Sequence, residues 1–401
     1  MLLKGDGGTA LVMSMFGGGG IGTTMRSQAK DGYESNSYVR GAVDLLANTA
    51  SSIPPLAFDK REKQIEDANH PVNQFIRRPN PRETWSEMID DLVRNYETTG
   101  NAFLYPIDTV KGLRMFSLNP ADLTPIPSNN KLDPVRVWLW NTGNGIKEIE
   151  PDKIIHYRMK SPTGEIMGVS PIMSARLNIE MQNAIKEWNV SATKNGGKTR
   201  VVEVPGHMSP DGFRDFSEKL KNAFSGTSSV GKMMVLDNGK KLTSDGFTAV
   251  EMDFANGTVM SGREIAMAYK IPPELLGDSA SKTYSNAAEA NREFAKHTIK
   301  PLMNRIYEPI EFVLMSRFPE VKRFTYDQET INDLFGNTES LMTALTNCNF
   351  LTPNEKRDML NYEDYGKDGD VILMSYGLAP LNAVIEGSDV NLPMEGLDEG
   401  N

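Results

Sequence analysis

The chain has 401 residues, which is enough for two or three domains of ordinary size. Its 43 Lys and Arg against 53 Asp and Glu give a net charge of −10, which argues against a general affinity for nucleic acid or anionic membranes. No apolar run of about 18 residues is present, so no transmembrane helix is predicted. The single cysteine, Cys348, excludes an internal disulfide and favours a reducing compartment, so we expect synthesis in the cytoplasm.

The two ends of the chain differ in composition from its middle. Residues 1–30 are rich in glycine, including Gly17 to Gly20, and predict a flexible N-terminal segment. Residues 386–401 contain five carboxylates and no Lys or Arg, which predicts a disordered acidic tail.

Two helices are predicted within the first 100 residues. A helix over 38–50 is indicated by a shared apolar face and is stopped by Pro54 and Pro55. A second helix begins at Thr84, which forms a capping box with Glu87, and ends at Gly100. From 102 to 157, β-branched and aromatic runs alternate with turn residues and predict strands. The first 170 residues are therefore expected to form a mixed α+β layer.

A long helix is predicted next. Ser170 is its expected cap, Pro171 its first residue, and Lys194 lies near its end, so that about 24 residues span roughly 36 Å. One face carries an apolar stripe, and its members are Met173, Leu177, Met181, Ala184 and Trp188. Packing within a monomer core and packing shared with other chains both remain open for this stripe.

The second half of the chain shows an insertion and further helices. Residues 199–247 read as a compact β-α-β-like insertion between two helical segments, the second over about 256–270. A long periodic run follows a polar loop and contains Pro301 and Pro309. Because a proline inside a helix removes a backbone hydrogen bond, we expect a kinked helix or two pieces.

Catalytic motifs are weak. Gly226 to Lys232 match six of the seven spacings of a phosphate-binding loop, but Met233 stands where Ser or Thr should bind magnesium. The segment also leads from a predicted helix into a predicted strand, the reverse of a phosphate loop. The four histidines are scattered without metal-ligand spacing. The sequence therefore predicts an ordinary turn here, no metal site and no catalytic residue.

Four short strings resemble one family in sequence and order. They are Arg78-Pro79-Asn80-Pro81, Thr99-Gly100-Asn101-Ala102-Phe103, Gly168-Val169-Ser170-Pro171, and Ile271-Pro272-Pro273-Glu274-Leu275-Leu276-Gly277 followed by Thr283-Tyr284-Ser285-Asn286. Together they resemble the portal proteins of tailed phages of the Hong Kong 97 type, over roughly Tyr38 to Asp370. The internal Pro309 departs from the pattern of that family.

The resemblance implies an α+β, helix-rich portal fold assembled as a ring, commonly of twelve copies, at one vertex of the virion. Double-stranded DNA enters and leaves through the ring, and the portal has no enzymatic activity and no cofactor. Expected partners are terminase, a head–tail adaptor and the major capsid protein or scaffold, without a membrane.

Mapped onto this chain, the resemblance implies nine segments. They are the flexible N-terminus (1–30), a wing (31–169), a first stem helix (170–198), a clip (199–247), a second stem helix (248–271), a tunnel loop (272–285), a long kinked helix (286–319), a wing return with crown (320–385) and the acidic tail (386–401).

The same resemblance implies site residues. The part of the tunnel loop expected to face DNA comprises Leu276, Gly277, Asp278, Ser279, Ala280, Ser281, Lys282, Thr283, Tyr284 and Ser285. The clip residues expected to bind partners are Lys198, Arg200, Lys240 and Lys241. Two other classes of function stay open: a nucleotide-hydrolysing packaging enzyme that uses Gly226 to Lys232, and a monomeric helical scaffold.

Overall fold

The computed structural model describes residues 21–22, 24–110, 112–130, 132–195, 200–203, 209, 211–212, 214–215, 241–244, 254–278, 284–335, 337–359, 362–374 and 379–380. The chain divides into two compact units, Met1–Asp327 and Gln328–Asn401. The two predicted terminal segments, 1–30 and 386–401, lie outside the described residues except for 21–22 and 24–30.

The first unit mixes helices and sheets, as the sequence predicted. Its helices are α1 (Met25–Ser27), α2 (Ser37–Ser52), α3 (Pro71–Arg77), α4 (Trp85–Thr99), α5 (Pro171–Ser174), α6 (Arg176–Asn195), α7 (Phe254–Ala268), α8 (Tyr284–Phe294) and α9 (Lys300–Arg317). Short helical turns are Gln28–Glu34 and Ala295–Ile299 of the π type, and Pro120–Asp122, Pro151–Lys153 and Pro273–Leu276 of the 3-10 type.

The strands of this unit pair antiparallel. They are β1 (Pro55–Asp59), β2 (Asn101–Thr109), β3 (Gly112–Leu118), β4 (Leu123–Pro127), β5 (Val135–Asn141), β6 (Ile146–Ile149), β7 (Ile155–Arg158), β8 (Arg200–Glu203), β9 (Lys241–Ser244) and β10 (Val321–Tyr326). Within the described residues the strand orders are β3-β2-β7, β4-β5-β6, β1-β10 and β8-β9. The chain therefore returns after α9 to add β10 beside β1.

The start and end of α4 are those that the sequence predicted. The hydroxyl of Thr84 accepts a hydrogen bond from the Glu87 amide, and the Glu87 carboxylate accepts one from the Thr84 amide, so the predicted capping box is confirmed. Gly100 ends the helix at φ +74°, a conformation that glycine adopts without steric cost.

An aromatic cluster joins the helical layer to the returning strand. Trp85 is buried on α4, with its ring 6.1 Å from that of Phe75, 5.9 Å from that of Tyr307 and 5.5 Å from that of Phe324. Its indole nitrogen donates to the Tyr307 hydroxyl at 3.2 Å. Since these side chains belong to α3, α4, α9 and β10, this cluster is a core that these four elements share.

The helix predicted to begin after Ser170 is interrupted at Ala175, which corrects the expectation of one continuous helix over 170–198. Ser170 does cap the helix, accepting from the Ile172 amide, and Pro171 is its first residue. The helix α5, however, ends after Ser174, where Ala175 adopts φ −92° and ψ 8°, and α6 begins at Arg176. The Ala175 side chain is buried, so packing at this point takes precedence over helical continuity.

The proline-containing run is continuously helical from Tyr284 to Arg317, and its irregularity is a π-helical turn rather than a break at Pro309. The π-helical turn Ala295–Ile299 joins α8 to α9, immediately before Pro301. Pro301 therefore follows a turn whose backbone hydrogen bonds already depart from the regular i→i−4 pattern, so that its missing amide hydrogen interrupts no regular series of bonds there. Pro309 is accommodated inside α9, whose buried face includes Ile306 and Ile310.

The second unit contains short elements. They are α10 (Gln328–Leu334), α11 (Asn337–Thr346), α12 (Pro353–Asp358), a 3-10 turn (Gly366–Gly369) and the strand pair β11 (Leu373–Met374) and β12 (Ala379–Pro380). A second capping box, between Thr352 and Glu355, begins α12. Asn354 closes the following loop by donating to the Gly366 carbonyl at 2.7 Å and accepting from the Tyr365 amide at 2.8 Å.

Candidate channel and subunit-contact surfaces

The helix pair α6 and α7 is fastened to α2 by a buried polar network. Asn36 is fully buried; its side-chain oxygen caps α2, and its side-chain amide donates to the Gln182 oxygen at 3.1 Å. Gln182, also fully buried, donates in turn to the Thr258 carbonyl at 3.1 Å. Three helices therefore share one satisfied network, whose rupture would leave buried polar groups without partners.

Sequence reasoning did not select Asn36 or Gln182. An asparagine directly before a helical stripe is a capping signal, and a glutamine inside an apolar stripe is a signal for a buried hydrogen bond. Both signals were present, but each is common in polar surface segments.

A close helix contact supports the same junction. The ring of Tyr38 on α2 lies over Gly262 on α7, and a Cβ at Gly262 would be 2.7 Å from a Tyr38 ring carbon. Any side chain at position 262 would therefore force the two helices apart.

The predicted stem stripe does not belong to the core of the single chain. Leu177 is 74% exposed and Met181 41% exposed, and Ala184 is also exposed, whereas Met173 and Trp188 are half-buried. The interpretation of this stripe as monomer core is therefore wrong for the three exposed residues. Contact of the stripe with another copy of the chain stays a prediction.

A different stripe of the same helices faces the core. Its members are Ile172, Ala175, Ile179, Gln182 and Ile185. Because both stripes have helical spacing, periodicity alone could not decide which one packs inside the subunit. Further exposed apolar side chains lie on the neighbouring helix α7 at Val259, Met260 and Met267.

The start of the predicted tunnel loop is ordered. Leu276 ends the 3-10 turn Pro273–Leu276, and Gly277 follows at φ +97°. Asp278 then forms an ion pair with Arg263 of α7. At the other end, Tyr284 and Ser285 already belong to α8, and the five residues 279–283 between these ends lie outside the described residues. The expected ten-residue loop therefore includes a helical turn at one end and the first residues of a helix at the other.

The turn that leads from α7 into this loop is held in an unusual backbone conformation. Lys270 has φ +58°, which is uncommon for a residue with a side chain. The Ile271 amide donates to the Ala266 carbonyl at 3.0 Å, and the Thr298 hydroxyl donates to the Lys270 carbonyl at 2.5 Å. The loop therefore begins from a fixed point on the helix pair.

The predicted clip is only partly described. Lys198 and Lys240 lie outside the described residues, as do most of 204–240. In the ribbon β8-β9, Arg200 pairs with Ser244, and Lys241 pairs with Glu203, so the two described basic residues lie at opposite ends of the ribbon. They are about 10 Å apart along the strands at roughly 3.3 Å per residue, and do not form a compact pair.

Two of the family-like strings meet in space around Asn101, which is fully buried. Its side-chain oxygen accepts from the Gly168 amide at 2.7 Å, and its side-chain amide donates to the Gly168 carbonyl at 3.1 Å. A Cβ at Gly168 would lie 2.2 Å from the Gly100 carbonyl oxygen. Asn80, from a third string, is also fully buried and donates to the Met115 carbonyl at 2.9 Å. These strings therefore connect loops of the first unit through buried hydrogen bonds.

His156 has a structural environment. Its ring stacks on Phe103 with centroids 4.4 Å apart, and its Nε2 lies 3.0 Å from the Asn101 side-chain oxygen. Burial, assisted by the charge of Arg158, lowers the pKa of His156 to about 4, so the ring is neutral at pH 7.

The phosphate-loop pattern Gly226 to Lys232 lies outside the described residues, so the packaging-enzyme alternative remains untested. Among the residues that the structure does describe, no three His, Cys, Asp or Glu side chains are arranged to hold a metal ion. None of the described helices is both long enough and apolar enough to span a membrane.

The model of the family described as phage portal protein matches residues 37–361. The probable portal protein of Streptomyces phage phiC31 is 26% identical over 303 residues, which are 72% of this chain and 65% of that protein. An uncharacterized protein of Rickettsia bellii (strain RML369-C) is 28% identical over 348 residues, which are 85% of this chain and 90% of that protein.

Solved structures share the fold. A chain from the neck of an empty gene transfer agent particle superposes with a TM-score of 0.64 at 23% identity, covering 84% of this chain and 94% of that one. A Hong Kong 97 family phage portal protein from Corynebacterium diphtheriae superposes with a TM-score of 0.55 at 14% identity, covering 79% and 98%. The fold is therefore that of the neck and portal subunits of phages and phage-like particles.

Since the family model covers most of the sequence, the chain belongs to the phage portal protein family. The resemblance stated from the sequence strings is confirmed.

Proposed function

We propose that the chain is one subunit of a closed ring, of about twelve copies, that forms the DNA channel at the portal vertex of a phage-like particle. The observation that supports a ring is the exposure of apolar side chains on α6 and α7, including Leu177, Met181 and Met267. Leu177 and Met181 lie one turn apart on α6, exposed apolar side chains of this kind favour a protein contact, and head-to-tail contacts between identical subunits close into a ring when the rotation divides a full turn. Matched neck structures were computed with C12 and C6 symmetry, which supports the proposed copy number.

Electron micrographs of the purified chain, combined with its mass in solution, test the ring. Twelve chains of 44.4 kDa give a particle of about half a megadalton with a central hole. A monomer both in solution and in assembled particles, with no annulus in either, would contradict the ring and favour the monomeric scaffold.

Double-stranded DNA is the proposed cargo, and the loop between Asp278 and Tyr284 is the proposed contact. A channel must not bind phosphates so tightly that DNA stops moving, and this loop contains one basic residue, Lys282. Deleting Ser279 to Thr283 is expected to leave the ring intact and to impair DNA packaging or retention, measured as the fraction of nuclease-resistant DNA. Normal packaging by an intact mutant ring would contradict this role.

Terminase during filling, and a head–tail adaptor afterwards, are the proposed partners of the clip. The basic residues Lys198, Arg200, Lys240 and Lys241 support a charge-complementary contact. Reversing all four charges is expected to weaken both interactions in a pull-down with the purified partners. Unchanged binding of both partners would overturn this assignment.

The family is a structural one, and we propose that the ring performs no catalysis of its own. An enzyme that used Gly226 to Lys232 would hydrolyse ATP and lose that activity in Lys232→Ala. The absence of turnover in the purified ring is the expected result.

A further inference from the structure

A cleft of about 670 Å³ lies where the end of α4, strand β7, the end of α7 and helix α9 meet. It is separate from the exposed stripe of α6 and from the ion pair that begins the tunnel loop. Its charged and titratable lining residues are Tyr96, Glu97, His156, Tyr157, Arg158, Lys160, Tyr269, Lys270, His297, Arg305 and Glu308.

The base of the cleft contains a buried carboxyl group. Glu97 is 7% exposed, and no described side chain or backbone group forms a hydrogen bond with its carboxyl oxygens. Burial raises the pKa of Glu97 to about 8, although the charges of Arg305 and Lys270 act in the opposite direction. At neutral pH this group is therefore mainly a neutral acid, whose hydroxyl is available as a donor in the cleft that Glu97 lines.

The walls of the cleft are positively charged. Besides Glu97, the lining contains four basic side chains, Arg158, Lys160, Lys270 and Arg305, and one further carboxyl group, that of Glu308. The neutral His156 adds no charge at pH 7. This excess of cations disfavours a cationic ligand and favours a multiply charged anion over a simple carboxylate.

The four basic side chains differ in whether they already form contacts within the protein. Arg305 donates to the Tyr96 hydroxyl and lies over its ring at 5.8 Å, and Arg158 donates to two loop carbonyls at 3.3 Å. Lys160 and Lys270 are exposed at the mouth, so that their ammonium groups can turn toward a ligand. The cleft therefore combines fixed guanidinium groups with movable ammonium groups.

We infer that this cleft binds a phosphate group, with the Glu97 hydroxyl as a donor at the base and Lys160, Lys270 and Arg305 as its charged partners. The negative charge of a phosphate offsets the excess of basic side chains in the lining, and a phosphate oxygen can accept a hydrogen bond from Glu97. The phosphate comes either from free inorganic phosphate or from a nucleic-acid backbone. The inference concerns the single chain and does not depend on the ring.

Calorimetric titration of the full-length protein with inorganic phosphate tests the site. Lys160→Gln and Lys270→Gln should each weaken binding by about threefold, as expected for loss of one exposed charge partner. Lys296→Gln is the matched control, because Lys296 has the same charge on the adjoining helical run but does not line the cleft. Circular dichroism confirms that each variant is folded. Absence of phosphate binding, or equal losses in the control and in the two cleft variants, would overturn the inference.

The role of Glu97 is tested separately with sulfate, whose charge is constant between pH 7 and 9. Ionisation of Glu97 removes the donor and adds a negative charge, so sulfate affinity should fall as the pH rises through about 8. In Glu97→Gln, which keeps a donor but cannot ionise, the affinity should be nearly independent of pH over this range. A pH dependence that persists unchanged in Glu97→Gln would exclude Glu97 from the site.

A short DNA duplex distinguishes the two sources of phosphate. Duplex binding that is lost in Lys160→Gln and Lys270→Gln together, but not in Lys296→Gln, identifies a backbone phosphate as the ligand. Binding of inorganic phosphate with no effect of these substitutions on the duplex identifies the free ion.

Discussion

Asn101 links the end of α4 to the loop that precedes α5. Its side chain makes hydrogen bonds to Thr99, His156 and both backbone groups of Gly168. Because Asn101 has no exposed surface, water cannot replace these bonds. This one side chain therefore fixes the mutual position of two segments that are 67 residues apart in sequence.

Replacing Asn101 with alanine should lower the free energy of unfolding by about 3 kcal/mol, because several buried polar groups lose their partner at once. Urea denaturation followed by circular dichroism measures the change. Asn69→Ala is the control, since Asn69 is exposed, and it should change stability by less than about 0.5 kcal/mol. Equal effects of the two substitutions would show that the Asn101 bonds contribute little.

The sequence indicated Asn101 only as part of a family-like string, without a physical role. Its function depends on Gly168, and no local pattern connects two such distant residues. Glu97 was missed for a related reason: it lies in a predicted helix beside polar neighbours, and its burial results from packing against α7 and α9. Capping residues such as Thr84 were predictable because their partners are three residues away.

At the scale of the element, α9 accommodates a proline that an ordinary helix would exclude. Pro309 cannot donate to the Arg305 carbonyl, and the loss of such a bond with the associated clash costs about 3 kcal/mol in a regular helix. The helix persists because it buries residues of the aromatic and aliphatic core, Tyr307 and Ile310 among them.

Pro309→Ala should raise the free energy of unfolding by about 1 to 2 kcal/mol, since the restored backbone bond is partly offset by greater freedom of the unfolded chain. Pro301→Ala, directly after the π-helical turn, is the matched control and should have a smaller effect, because the regular bond pattern is already interrupted there. Thermal or urea denaturation compares the two variants. A larger gain from Pro301→Ala would show that the strain lies at the π-helical turn instead.

Most helices of the first unit could be predicted from caps and periodicity, and α2, α4 and α7 occur close to the expected positions. The interruption at Ala175 could not, because Ala is a favourable helix residue and the break depends on tertiary packing. The choice between the two stripes of α6 was likewise undetermined by spacing. Strand pairs such as β1-β10 join distant segments and leave no local signal.

At the scale of the whole molecule, the exposed stripe of α6 is a place where association between subunits can change with little change in folding stability. Leu177, at 74% exposed, contributes little to the core of the single chain, and Met181, at 41% exposed, contributes only in part. In the proposed ring they lie against a neighbouring copy and lose contact with water. Substitutions here should therefore affect association far more than folding.

The double variant Leu177→Ser, Met181→Ser should keep the unfolding free energy of the monomer within about 1 kcal/mol and shift the mass distribution from rings to monomers. Mass photometry across a concentration series measures the shift. Val110→Ser, Leu132→Ser is the control, since these apolar residues are also highly exposed but lie in the loops of the β region. Normal rings in the α6 variant would contradict a contact through this stripe.

The pairing of Pro55 with Tyr326 also has a consequence for biosynthesis. About 270 residues separate the two strands, and a ribosome that adds about 5 to 20 residues per second needs roughly 15 to 50 seconds to make them. During this delay the edge of β1 and the Trp85 side chain lack their later partners. The unpaired backbone and the apolar side chain can then associate with other nascent chains. Prematurely terminated polypeptides that stop before Val321 should accordingly be recovered in inclusion bodies or with chaperones.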